Sequence, residues 1–182
     1  MSTLSLKTLQ GVASVGNVIT VASGSIVYSP GSVVQIQQTV KTDTFSAAPN
    51  GTWTDITGMT VTITPYKATS KIFILVTIVG AGSGTTPKAR LLRGATTIAA
   101  GDTSGSKQSA MLGSFLMKDT NQTDTYTSQF IDSPATTSST TYKMQINNDN
   151  AQTWYCNRSV SDQDNATGGR YISVITAMEV AV

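Results

Sequence analysis

The sequence predicts an all-β protein, a jelly-roll-like antiparallel β-sandwich that follows an extended N-terminal arm. Threonine and serine are abundant, at 30 and 21 of 182 residues, and these residue types suit pleated strands and turns. Charged residues make up only 12% of the chain, against roughly 25% in an ordinary soluble domain, and glutamate is almost absent. Runs of β-branched residues recur at short intervals between turn-forming clusters, which is typical of strands rather than helices.

The first thirty residues differ from the rest because their apolar side chains are thinly spaced among Gly, Ser and Ala. Such a segment is too sparse to build a core alone, so its apolar residues need cover elsewhere. We therefore predict an attachment or oligomerisation arm over residues 1–30 and a head domain over residues 31–182. Pairing with a partner protein or with other copies is favoured over added strands in the main sheet. The arm residues expected to make the contacts are Leu4, Leu6, Leu9, Val18, Ile19 and Val21.

The head domain begins with clear strand signals. Residues 33–40 and 59–64 are rich in β-branched residues, and Val61 and Ile63 alternate with Thr, which indicates one buried face. Residues 71–79 form a nearly continuous apolar run and predict a central strand that is buried on both faces. A short helix fits that run by length, but its β-branched content and the glycines of residues 80–84 favour a strand.

Further strands follow at short intervals, separated by clusters rich in Gly, Asn, Asp and Ser. This punctuation is typical of a sandwich or a barrel. The predicted strands span residues 89–92, 96–100, 109–117, 125–131, 141–147, 153–156 and 171–180.

The sequence lacks most of the residue combinations that enzymes use for catalysis. The chain has no histidine, which excludes catalytic triads and the usual zinc ligands. A pair of carboxylates can hydrolyse glycosides, but most aspartates here stand in turns, where they cap their own backbone. Residues 162–165 resemble part of a calcium loop but lack its later Glu and central Gly. We therefore predict a non-enzymatic protein without a cofactor or a metal.

The composition also limits which cellular compartment and which binding partners we expect. The lysines and arginines are scattered, and no basic block predicts a nucleic-acid partner. No apolar run approaches the roughly 18 residues of a membrane span, so we expect no membrane insertion. The N-terminus lacks the pattern of a signal peptide, which predicts a protein made in a cytoplasm. The single cysteine, Cys156, allows no internal disulfide and is expected to be a small buried apolar residue.

Aromatic residues beside a polar loop give the one positive indication of binding. Rings that stack on sugars, combined with amides and carboxylates that bond hydroxyls, are typical of glycan-binding surfaces. The alternative is that Trp154 or Tyr155 packs in the core, as strand aromatics commonly do. The candidate receptor-binding residues are Trp154, Tyr155, Arg158, Asp162, Asp164 and Asn165.

An ordered series of short segments resembles bacteriophage tail-fibre and related virion proteins, which are common in phages of marine bacteria and cyanobacteria. The similarity begins with the opening residues 1–10 and 17–22 and spans nearly the whole chain. Residues 103–110 and 159–167 are less similar, which suits variable surface loops. The remaining matching segments are residues 30–35, 53–58, 61–65, 70–72, 89–94, 98, 101–102, 141–143, 169–173 and 178–181.

The resemblance implies a homotrimeric tail fibre in the virion, assembled in the host cytoplasm. Its arm would join other tail or baseplate proteins, and its head domain would bind a glycan or a protein on the host surface. Two alternatives stay open at this point: a capsid decoration, or cement, protein with the same fold, and a small polysaccharide depolymerase.

Overall fold

The computed structural model describes residues 26–82, 87–113, 119–149, 151–166 and 168–182. Eleven strands and no helix occur within these ranges, which confirms the all-β prediction. The predicted arm residues Leu4, Leu6, Leu9, Val18, Ile19 and Val21 lie outside them. The strands are β1 (Val33–Lys41), β2 (Phe45–Ala47), β3 (Thr54–Ile63), β4 (Lys71–Gly82), β5 (Lys88–Arg93), β6 (Thr96–Ala99), β7 (Leu112–Gly113), β8 (Asp124–Asp132), β9 (Thr140–Asn147), β10 (Trp154–Cys156) and β11 (Ser173–Val180).

The strands form two antiparallel sheets. Sheet I has the order β1-β11-β4-β10-β2, and β8 pairs with the other edge of β4. Strand β4 is long enough to pair with β11 through its first half and with β10 through residues Gly80–Gly82. Sheet II has the order β3-β9-β5-β6, and β7 pairs with β5 beside β6. Strand β4 is therefore central, as its apolar sequence predicts.

Alternation along the strands builds one core between the two sheets. Ile72, Ile74, Val76 and Ile78 of β4 are fully buried, because every second side chain of a strand points to the same face. The other face of β4 is only partly buried, so the prediction of burial on both faces is wrong. The inner residues of sheet II are Ile56, Met59, Val61, Ile63, Ala89, Leu91, Tyr142, Met144 and Ile146.

The β-sandwich is confirmed, whereas its jelly-roll connectivity stays a prediction. The chain passes from β3 in sheet II to β4 in sheet I and back to β5 in sheet II. It crosses again from β8 in sheet I to β9 in sheet II, and then to β10 and β11 in sheet I.

The chain enters the sandwich beside the end of its last strand. The amide of Gly31 donates to the carbonyl of Ala181 at 2.9 Å, and the amide of Ala181 donates to the carbonyl of Ser32 at 2.9 Å. The hydroxyls of Tyr28 and Ser70 share a hydrogen bond of 2.9 Å, and the ammonium of Lys67 lies 3.7 Å from the ring centroid of Tyr28. These contacts tie the residues just before β1 to the end of sheet I where β4 begins.

Candidate functional site

The loop between β10 and β11, residues 157–172, carries most of the candidate receptor-binding residues. We refer to it as the β10–β11 loop. Its position is set by β10, which pairs Trp154 with Gly82, Tyr155 with Ala81 and Cys156 with Gly80. The loop therefore leaves sheet I at the end of β4 that lies opposite Lys71.

Trp154 lies in the core and is not available to a receptor, so its inclusion among the receptor-binding candidates is wrong. Its side chain is fully buried, and its ring lies 6.3 Å from that of Phe45, centroid to centroid. The physical reason is the two-residue period of β10, which turns Trp154 and Cys156 to the core and Tyr155 away from it. A carbon added at Gly80 would stand 2.8 Å from the indole, so the glycine makes room for the ring.

Tyr155 and Arg158 form a stacked pair at the base of the loop. The guanidinium of Arg158 lies 4.0 Å from the ring centroid of Tyr155, within range of a cation–π interaction. Arg158 also donates to the carbonyl of Ser159 at 3.2 Å. The planar cation therefore lies over the ring of Tyr155.

Asp162 holds the two ends of the loop together. It pairs with Arg170, and its carboxylate lies 3.5 Å from the guanidinium of Arg158. The hydrogen bond from Arg170 lowers the pKa of Asp162, so this carboxyl is ionised at neutral pH. The backbone of Asp162 has a φ of 49°, a left-handed conformation that Asp tolerates better than most residues. Asp162 therefore has a positioning role within the loop.

Asp164 and Asn165 line a cavity of about 310 Å³. Asp164 is exposed, and the side-chain amide of Asn165 donates to the side chain of Gln163 at 3.1 Å. The wall is polar and is built from Asp162, Gln163, Asp164, Asn165, Gly168, Gly169 and Arg170. Such a wall offers carboxylate, amide and guanidinium groups to the hydroxyls of a sugar.

A buried polar cluster fixes the root of the loop. The side-chain amide of Asn157 donates to the carbonyls of Lys41 and Asp43, each at 2.9 Å, and Ser173 donates to its amide oxygen at 2.7 Å. The amide of Ser161 donates to the carbonyl of Thr120 at 3.0 Å, so the loop also rests on the segment before β8. Cys156 is fully buried beside this cluster, as the sequence predicts, and burial raises the pKa of its thiol.

The sequence interpretation did not include Arg170, although Arg170 closes the loop onto Asp162. Eight residues separate the two, and no spacing rule links an acid to a base across an irregular loop. A second aromatic–cation pair lies elsewhere, where the guanidinium of Arg90 stands 4.2 Å from the ring centroid of Trp53. Arg90 also donates to Gln145 at 2.7 Å, and Gln145 donates to Asp55 at 2.7 Å, so this array satisfies its own hydrogen bonds.

Comparison with known proteins finds no family model that matches the chain and no curated protein with significant similarity to it. Over the described ranges, no cluster of three or more His, Cys, Asp or Glu residues has the arrangement of a metal site. Within the same ranges, no helix combines the length and the apolar character that crossing a membrane requires.

Proposed function

We propose that this chain is a non-enzymatic structural protein of a bacteriophage virion, a trimeric tail fibre. Its N-terminal arm attaches to tail or baseplate proteins, and its β10–β11 loop binds a glycan on the host surface. Support comes from the family resemblance of the sequence and from the layout of the head domain.

The observation that carries the proposal is the separation of the chain entry from the loop. The chain enters sheet I at Gly31, beside Ala181, and β11 aligns its Val180 with Lys71. The loop leaves sheet I beside Gly80. Gly80 follows Lys71 by nine positions along β4, which is about 30 Å at the usual rise of a strand. An adhesin needs this layout, because one end must be anchored while the other meets the host.

The chemistry of the loop favours a glycan over a protein receptor. A tyrosine ring beside an arginine can stack on the apolar face of a sugar ring, and the nearby carboxylates and amides can accept or donate to its hydroxyls. The cavity lined by Asp164 and Asn165 is small, so each copy would bind weakly. Several copies on one fibre would add their contacts through a high effective concentration.

Electron microscopy with a gold-labelled antibody tests the location on purified particles of a virus that encodes this sequence. Label confined to the tail is the expected result. Label spread over the head would contradict the tail-fibre proposal. Release of reducing ends from host polysaccharide by the purified protein would contradict its non-enzymatic character.

The second candidate function is capsid decoration, and the half-exposed apolar outer face of β4 is the observation that favours it. A cement protein covers such a surface at the joints between capsomers. The copy number in purified particles separates the two functions, because a fibre is present in a few to tens of copies and a cement protein in hundreds.

A further inference from the structure

The outer face of sheet I, which points away from the core, carries apolar side chains in register across four strands. Ile36 of β1 pairs with Met178 of β11, Met178 pairs with Phe73 of β4, and Phe73 pairs with Ile131 of β8. Ile36 and Ile131, at the two ends of this row, are each 57% exposed. We call this row and its two flanking apolar rows the apolar band.

The flanking rows extend the band along the strands, and the row of Val33 and Val180 also contains the exposed Lys71 of β4 at the margin of the band. On one side stand Val33 and Val180, which are paired across β1 and β11. On the other side Val40, which is 44% exposed, pairs with Val174. Between the Ile36 row and the Val40 row lies a neutral polar row with Leu75 at its centre, formed by Gln38, Thr176, Leu75 and Gln129.

The outer face of sheet II shows how the same chain builds a surface that faces water. There the ammonium of Lys143 donates to Asp55 at 2.7 Å, and Gln145 donates to the same carboxylate. Arg90 and the exposed Thr62 lie on the same face. Single exposed apolar residues are ordinary on a protein surface, but an aligned band of them marks an interaction site.

The size of the band suits a contact between protein subunits. Four strands at about 4.8 Å spacing and seven residues of strand length at about 3.3 Å give a footprint of roughly 450 Å². Protruding side chains make its accessible area larger than this flat footprint. A stable interface buries about 800 Å² on each partner, so the band would supply the greater part of one.

We propose that the apolar band is the surface through which copies of this chain contact one another. The inference rests on the proposed function in one respect, the homo-oligomer, and names the face that forms it. A second copy fits because the two central rows, those of Ile36 and Gln38, carry no charge while Lys71 lies at the margin, and because interfaces between identical subunits are apolar and depleted of charge at their centre. The side-chain amides of Gln38 and Gln129 can form hydrogen bonds with the polar side chains of the same row in a neighbouring copy.

Sedimentation velocity and light scattering on the purified chain test the inference. The wild type is expected to run at a multiple of its 19.1 kDa mass. The double variant Ile36→Glu with Ile131→Glu places charge at both ends of the central row and should raise the dissociation constant at least ~100-fold. The control Thr62→Glu puts the same charge on the outer face of sheet II and should leave the assembly intact. A monomeric wild type, or a double variant that assembles like the wild type, would overturn the proposal.

Hydroxyl-radical labelling of the wild type tests the same face without a substitution, in case the double variant does not fold. Labelling of Phe73 and Met178 should fall several-fold when the protein is concentrated from monomer to oligomer. Tyr171 of the β10–β11 loop, which is 38% exposed, should label equally in both states. Equal labelling of Phe73 and Met178 in both states would refute the interface. Neither experiment uses virus particles. A negative result would therefore contradict the proposed interface without testing the proposed location on the tail.

Discussion

At the scale of single residues, the only glutamate of the chain secures the entry of the chain into sheet I. Glu179 is fully buried, and its carboxylate accepts hydrogen bonds from Gln35 at 2.6 Å, from the amide of Tyr66 at 2.9 Å and from Ser70 at 2.5 Å. Burial by itself would raise the pKa of this carboxyl, but the donors outweigh it, so the pKa of Glu179 lies below its ordinary value.

Glu179→Gln should therefore reduce stability in a pH-dependent way. The ionised carboxylate stabilises the fold above pH 4.5, and that contribution is lost as the pH falls through the lower pKa of the folded state. The free energy of unfolding of the variant should be about 2 kcal/mol lower than that of the wild type at pH 7, since the substitution weakens several hydrogen bonds to a charged group. Urea unfolding at pH 7 and at successively lower pH measures the difference in free energy of unfolding between wild type and variant. This difference should become smaller below pH 4.5. A difference that stays constant with pH would contradict this account.

Gly80 is the second residue that matters for stability, because its lack of a side chain leaves room for the ring of Trp154. Gly80→Ala should destabilise the protein by about 1–3 kcal/mol, since the added carbon would overlap a buried ring that cannot move away. Gly113→Ala is the matched control, because a carbon added at that strand glycine has no atom within 4 Å. Thermal unfolding compares the two variants, and equal melting temperatures would refute the argument.

At the scale of elements, regular alternation made the strands predictable. The predicted strand over residues 125–131 corresponds to β8, and the run over residues 71–79 lies within β4. Strand β2 has only three residues, and they show no hydrophobic pattern of their own. It forms because it pairs with β10, so no local sequence signal predicts it. Of the predicted strand over residues 109–117, the described part contains only Leu112–Gly113 as strand.

The sequence predicts the candidate site as a region but not in its details. It indicates the loop with Asp162, Asp164 and Asn165 because aromatic and polar residues are adjacent there, and the binding role of this loop stays a prediction. Trp154 was misplaced, because a strand of three residues is too short to show which of its faces is buried. Arg170 was missed because its pairing with Asp162 depends on how the loop folds back.

The stacked pair of the loop yields a prediction about host binding. Arg158→Ala should weaken adsorption of the protein to host cells about 10-fold, because it removes a charged hydrogen-bond donor that the proposed glycan would contact, and such a contact contributes roughly 1.5 kcal/mol. Lys67→Ala is a close control, since it removes a similar cation–π pair with Tyr28 at the opposite end of sheet I. Flow cytometry with labelled protein measures the adsorption. Equal adsorption of the two variants would exclude Arg158 from the binding surface.

At the scale of the whole molecule, the proposed division into arm and head makes a prediction about assembly. Deletion of the residues before Pro30 should leave a folded head domain, because the backbone bonds that join the chain entry to the residue after β11 begin with Gly31 and Ser32. The melting temperature should fall by only a few degrees, through loss of the Tyr28 contacts. The truncated protein should no longer enter virus particles, as immunoblotting of purified particles would measure. Normal incorporation would contradict the role of the arm.

The place of β11 has a consequence for how the protein folds during synthesis. Strand β11 lies between β1 and β4, although more than 130 residues separate it from β1 along the chain. Sheet I therefore cannot close while the ribosome is still making the strands that come before β11. Until then β1 and β4 expose unpaired edges, and pairings this distant in sequence form slowly. Folding of the sandwich is thus expected to be completed only after β11 has left the ribosome.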